Sequence, residues 1–254
     1  MELHGDWRTA TRLYGSRLRR ILEPLTEPLA RAALRRADVV RTISGFTSEL
    51  IAPLGREPAA VFPAYVDLSA FTSAPPAPLP GRPAVLFVGV LERYKGIDVL
   101  AKAWPQVWAR TGATLHLVGD GPLAGTAGGD GVRWERRLSQ EDVARALDDA
   151  SLLVLPSRSE GLPRIVIEAF CRGRPVVGTR AGGIPDIVED GVSGLLVPPD
   201  DSDALADALI RPLEDRGLLE RLAAGARASA EPWLQTPDEY ARKMLALVES
   251  ALAR

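Results

Sequence analysis

The chain has 254 residues, of which 46% are hydrophobic and 25% charged, the balance of an ordinary globular protein, which excludes wholesale disorder, collagen and a coiled-coil rod. Its 31 Lys and Arg nearly cancel 33 Asp and Glu, leaving a net charge of −2 and arguing against nucleic acid as the main partner. A single cysteine, Cys171, cannot form an internal disulfide, and His4 and His116 are the only imidazoles, so no transition-metal site is expected.

The N-terminal MELHGDWRTA has no apolar h-region, and no later apolar run approaches the ~20 residues of a spanning helix. A cytoplasmic protein is expected. Arginines then dominate: Arg8, Arg12, Arg17, Arg19, Arg20, Arg31, Arg35 and Arg36 read first as a solvated helical face over about 17–36, and second as a surface for peripheral contact with anionic lipid. A strand-like VVRTIS follows at 39–44, and Ser44 is placed to cap the next helix. Residues 1–73 thus read as part of an α/β domain.

PPAPLPGRP at 75–83 carries five prolines and a glycine and must run extended, which marks 74–83 as a linker. Beyond it, six short apolar runs alternate with amphipathic stretches: 84–90, 114–119, 132–134, 151–156, 175–179 and 194–199. Runs apolar on both faces predict parallel strands buried under helices. Ser139 with Asp142 predicts a helix start, and Gly173 a helix end. The fold class is therefore α/β, a doubly wound Rossmann-like sheet over 84–232, with ligands at the carboxyl ends of the strands. A last helix, about 237–252, lies in a bridging segment, 233–254.

Chemistry concentrates after the strand at 151–156, in SRSEGLPRIVIEAF. Glu160 falls in the loop, Gly161 at a flexible turn, Pro163 near the first helical position, and Glu168 eight residues after Glu160 inside the helix. A helix opening at a strand's carboxyl end suits a phosphate. Carboxylates cannot bind that phosphate, but they accept from hydroxyls, and a ligand with phosphates flanked by hydroxyls is a nucleotide sugar. Lys95, with Gly96 after the first strand of this domain, adds a cation for the diphosphate. GDGPLA at 119–124 has the letters of a dinucleotide fingerprint, yet the following GTAGGDG is a poor helix. Asp201-Ser202-Asp203 reads better as a helix cap than as a metal ligand set, and no P-loop motif occurs.

FVGVLERYKGIDVL (87–100), LVGDGP (117–122), SRSEGLPRIVIEAFCRGRPVVGTRAGGIPDIV (157–188) and GLLVPPDD (194–201) together resemble the family 4 (group 1) retaining glycosyltransferases of GT-B fold. The resemblance implies that Glu160 holds hydroxyls of the donor sugar and Glu168, at the end of the E-x7-E motif, those of the ribose. It further implies that the amides of Gly161 and Leu162 meet sugar and phosphate and that Lys95, helped by Arg93, neutralises the diphosphate. Gly119, Asp120 and Gly121, with the segment around Arg133, would border the base. Gly89 stands where the family's strand glycine precedes an arginine, but here Val90 follows it. MELHGD resembles the segment whose histidine, His4, lies near the sugar, so the chain begins midway through the family's first domain, and an N-terminally shortened enzyme is expected. The implied reaction moves a sugar from a nucleoside diphosphate to a hydroxyl of a glycan or lipid-linked acceptor with retention. It needs neither metal nor cofactor beyond the donor, because the leaving diphosphate takes the acceptor's proton. The alternative is a non-catalytic nucleotide-sugar-binding or interaction module.

Overall fold

The computed structural model describes residues 1–8, 17–126 and 128–253, with residues 17–25 as backbone. The first unit is a small parallel sheet, ordered β1 (Glu2–Leu3), β2 (Arg41–Thr42), β3 (Ala60–Val61). Between β1 and β2 runs α1 (Arg17–Arg36), and after β2 comes α2 (Gly45–Ile51). Ser44 caps α2 as expected, and Thr47 closes the capping box from inside the helix. The expected strand at 39–44 contracts to two residues, because Ile43 and Ser44 direct their amides to the Thr47 hydroxyl instead of to a ladder.

After the short α3 (Ser69–Thr72) the proline-rich stretch crosses the surface of the second unit. It is tied there rather than free. Arg172 donates to the carbonyls of Ala74 and Pro75 at 2.7 and 3.0 Å, and Arg174 to that of Ala77 at 3.0 Å. Asp148 carries the countercharge, accepting from Arg172 Nε at 2.9 Å. Burial pulls the Arg174 guanidinium down to about 10.

The second unit is a six-stranded parallel sheet. Its strands are β4 (Ala84–Val88), β5 (Thr114–Val118), β6 (Val132–Glu135), β7 (Leu152–Leu155), β8 (Val176–Thr179) and β9 (Gly194–Val197). Side chains alternate between two cores, as the pleat requires. Val85, Phe87, Leu152 and Val154 pack under α4 (Ile97–Thr111) and α7 (Ser202–Glu214). Leu86, Leu153 and Leu155 pack under α5 (Gln140–Asp148) and α6 (Arg164–Cys171). Two covered faces explain why these strands are continuously apolar. α8 (Arg216–Ala228) follows, and α9 (Pro237–Leu252) returns to the first sheet, where Tyr240 meets Phe62 edge-on at 5.9 Å.

Strand order is β6-β5-β4-β7-β8-β9. The chain builds outward from β4 through β6, then returns to pair β7 on the other side of β4. The switch point of the sheet therefore lies between the carboxyl ends of β4 and β7, where open α/β sheets form their ligand crevice.

Candidate functional site

The loops leaving β4 and β7 meet at that switch point. Lys95 closes a single 3-10 turn, Arg93–Lys95, and Glu160 lies in the loop between β7 and α6. Lys95 Nζ donates to Glu160 Oε1 at 2.6 Å, and the buried Ser157 hydroxyl donates to the same oxygen at 2.7 Å. Both side chains are largely covered, Lys95 14% and Glu160 9% exposed, which strengthens the pair relative to one in water. Because both donors use Oε1, Oε2 remains for another donor. Beside the pair opens a cavity of about 250 Å³ lined by His4, Gly5, Asp6, Trp7, Tyr94, Ser159, Glu160 and Gly161.

Backbone packing holds the segments together. A Cβ on Gly161 would lie 1.8 Å from the His4 carbonyl oxygen, and one on Gly183 2.0 Å from that of Gly161. Gly182 sits at φ +56°, where a Cβ would come within 2.0 Å of the Glu160 oxygen. Gly161 is thus required for close approach rather than for the flexible turn its sequence suggests. Gly96 combines both needs, φ +70° and a Cβ position 1.9 Å from the Pro156 oxygen. Among the described residues, neither the Gly161 nor the Leu162 amide donates a hydrogen bond, so both remain open to an anion.

Arg158 was not singled out by sequence, yet it fixes the Lys95 turn. Its amide donates to the Tyr94 carbonyl at 2.7 Å, and its guanidinium grips Asp98 at 2.7 and 2.9 Å and Asp200 at 2.5 Å. Burial pushes the Asp98 carboxyl up, but the Arg158 hydrogen bonds and charge outweigh it and hold the group below its ordinary value. Ser157, Gly182 and Gly183 were likewise missed. The one readable signal was the glycine pair two residues beyond the β8 run.

The remaining expected residues divide. Gly89, Gly119 and Gly121 cluster at the carboxyl ends of β4 and β5: a Cβ on Gly119 would meet the Gly89 oxygen at 1.8 Å, and Gly121 abuts Leu91. Asp120 accepts from Arg136 Nε at 2.7 Å, and that contact leads in holding its carboxyl below the ordinary range. Residues 121–126 form turns and no helix, which removes the dinucleotide reading of GDGPLA. Arg93 is exposed, its carbonyl accepting from Arg158. Arg133 lies elsewhere, against His116 Nδ1 at 2.8 Å, in a cavity of about 400 Å³ that includes the first residues of β4 and β5. His4 lines the candidate cavity, with Nε2 2.8 Å from Glu2 Oε2. Glu168 sits on α6 with its side chain 12% exposed and its Oε1 3.8 Å from Arg164 Nη2. Burial raises its pKa, and Arg164 only partly offsets that. It does not line the cavity that holds Glu160.

Of the arginine-rich surface, Arg12 lies outside the described residues, as do the side chains of Arg17, Arg19 and Arg20; Arg8 pairs with Asp6 and Arg31 with Glu27. No helix among the described residues is long and apolar enough to cross a membrane. No group of three or more His, Cys, Asp or Glu among them could hold a metal ion.

Residues 82–215, more than half the chain, match the family model described as Glycosyl transferases group 1. A D-inositol 3-phosphate glycosyltransferase from Nocardioides sp. is 35% identical over 187 residues, covering 61% of this chain and 41% of that protein. An alpha-D-kanosaminyltransferase from Streptomyces kanamyceticus is 33% identical, covering 55% and 39%. The chain thus spans about two fifths of the length of these relatives. Among solved structures, sucrose-phosphate synthase from Thermosynechococcus elongatus superimposes with a TM-score of 0.82 at 25% identity, covering 99% of this chain and 67% of that one. Anabaena HepE, crystallised with UDP and glucose, gives a TM-score of 0.74 at 20% identity, covering 97% and 70%. With its Rossmann-like sheet, its neighbours of GT-B fold and this family match, the chain belongs to the group 1 glycosyl transferases.

Proposed function

We propose that the site transfers a sugar from a nucleoside-diphosphate sugar to an acceptor hydroxyl with retention of configuration. The observation that carries this reading is the Lys95–Glu160 pair at the switch point of the sheet, beside a cavity and two free amides. Lys95 and the amides of Gly161 and Leu162 face the developing charge of the leaving diphosphate, whose stabilisation is the main catalytic need of such a transfer. Glu160 Oε2 accepts from hydroxyls of the donor sugar. Glu168, kept poorly solvated on α6, accepts from the ribose. The diphosphate oxygen that leaves takes the acceptor's proton on the same face, so no side chain serves as nucleophile and no metal is needed. The acceptor is a glycan or a lipid-linked hydroxyl.

HepE is named in complex with UDP and glucose, and a pneumococcal O-GlcNAc transferase of similar fold in complex with UDP and GlcNAc, which makes uridine donors the first to test. Calorimetry of this chain with uridine, guanosine and adenosine diphosphosugars should give saturable binding for one base. Glu160→Ala should then weaken the diphosphosugar by about tenfold while changing the bare diphosphate less than about twofold. Equal losses for both ligands remove the sugar role of Glu160, and binding without transfer to any acceptor identifies a binding module.

A further inference from the structure

A second polar cluster connects α9 to the cavity through the first sheet. β1 and β2 pair in parallel with Glu2 opposite Arg41. Residues i and i+2 of an extended segment share a face, which brings His4 to the side of Glu2. The two oxygens of Glu2 then divide their work: Oε1 lies 3.0 Å from Arg41 Nη1, and Oε2 lies 2.8 Å from His4 Nε2. The Arg41 side chain is 1% exposed. Its guanidinium lies 4.2 Å from the Phe62 ring centre and 5.6 Å from that of Tyr240, and Nη1 donates to the Tyr240 hydroxyl at 2.9 Å. Nη1 also donates to Met244 Sδ at 3.0 Å, while Nε and Nη2 find no hydrogen-bond partner among the described residues, so the buried cation leans on a carboxylate, and Glu2 is the one it meets there, as an ion pair.

We propose that Glu2 is a positioning residue that sets the tautomer of His4, and that Arg41, clamped by Tyr240 of α9, sets Glu2. A carboxylate only accepts, so neutral His4, a residue that lines the cavity, carries its proton on Nε2 and keeps Nδ1 as an acceptor. The use of that acceptor, toward a hydroxyl of the bound ligand, rests on the glycosyl-transfer reading. The tautomer itself does not.

The test is nitrogen-resolved NMR of the imidazole rings in the full chain, about two pH units above the ordinary histidine value of about 6.5. With two histidines in the chain, His116 serves as the internal control. The wild type should show a single His4 tautomer protonated on Nε2. In Glu2→Gln, Arg41 still needs an acceptor and takes the amide oxygen, which turns the amide nitrogen to His4. The proton should move to Nδ1, inverting the two His4 nitrogen shifts while those of His116 stay in place. Glu2→Asp keeps the charge beside Arg41 but is one methylene too short to reach both partners, so His4 should average over both tautomers. A wild-type His4 already averaging, or Nε2 still protonated in Glu2→Gln, overturns the proposal, and so does a single unaltered tautomer in Glu2→Asp. The spectra need no ligand, so failure of nucleotide-sugar binding would refute the function and leave this coupling standing, and the reverse holds equally.

Discussion

At the scale of the residue, the site contrasts two acids of different surroundings. Glu160 is matched by Lys95 and Ser157, so removing the cation strands a covered carboxylate. Lys95→Met should destabilise the chain by about 2 kcal/mol in urea denaturation, and adding Glu160→Gln should recover most of the loss. Simple addition of the two single losses would show that the pair is not coupled. Glu168 has Arg164 at 3.8 Å and little solvent. Its folded pKa is raised above the ordinary 4.5. Between the two values the folded state holds a proton the unfolded state has lost, so stability falls as pH rises and the penalty is complete above the folded value. Glu168→Gln should therefore raise Tm at pH 7, lose that advantage below about pH 4.5, and weaken nucleotide binding. A Tm gain unchanged at pH 4 would sink the electrostatic explanation. Cys171 is inert by the same physics, since burial pushes its thiol up to about 11.

At the scale of the element, the site depends on loops that have no regular structure of their own. The Lys95 turn is held to β7 by Arg158 and by the contact of Gly96 with Pro156. Arg158→Leu leaves Asp98 and Asp200 without their cation and should cost about 2 kcal/mol. On the proposed function it should also weaken diphosphate binding without touching any ligand. Lysine at 158 should rescue only partly, because the two parallel bonds to Asp98 need a guanidinium fork. Gly96→Ala forces a side chain into a left-handed backbone and onto a carbonyl, so a loss of at least about 2 kcal/mol is expected in thermal unfolding. A neutral result would mean that the turn relaxes freely.

At the scale of the whole molecule, the two sheets are joined by backbone contact at Gly161 and by α9 at Tyr240. Tyr240→Ala removes an edge-on ring contact and the hydroxyl that receives Arg41. Amide hydrogen exchange should then speed up by tenfold or more in β1 to β3 while β4 to β9 keep their protection, since a loss of about 1.4 kcal/mol in one unit is a tenfold change in its opening. Uniform acceleration would show that the two units open together. The arginine clamp on the proline-rich segment belongs to this scale too: 75–83 reads as a spacer, yet Arg172 and Arg174 fasten it to the second unit.

The sequence by itself determined the strands of the second unit and their helices. Continuous apolar runs such as AVLFV and LLVL have only one economical burial, under helices on both faces. It also determined the caps at Ser44, Ser139 and Asp201, because a cap is a contact within four residues. Glu160 and Lys95 were legible as types of residue at strand ends. They were also expected at one ligand, but their direct ion pair was not read, because only the strand order places β7 against β4 and so brings residues 65 apart to 2.6 Å. Arg158, Ser157, Gly182 and the Glu2–Arg41 pair were decided by tertiary structure for the same reason. Each owes its role to neighbours supplied by parallel pairing and loop packing, and neither composition nor periodicity along the chain encodes which strand lies beside which.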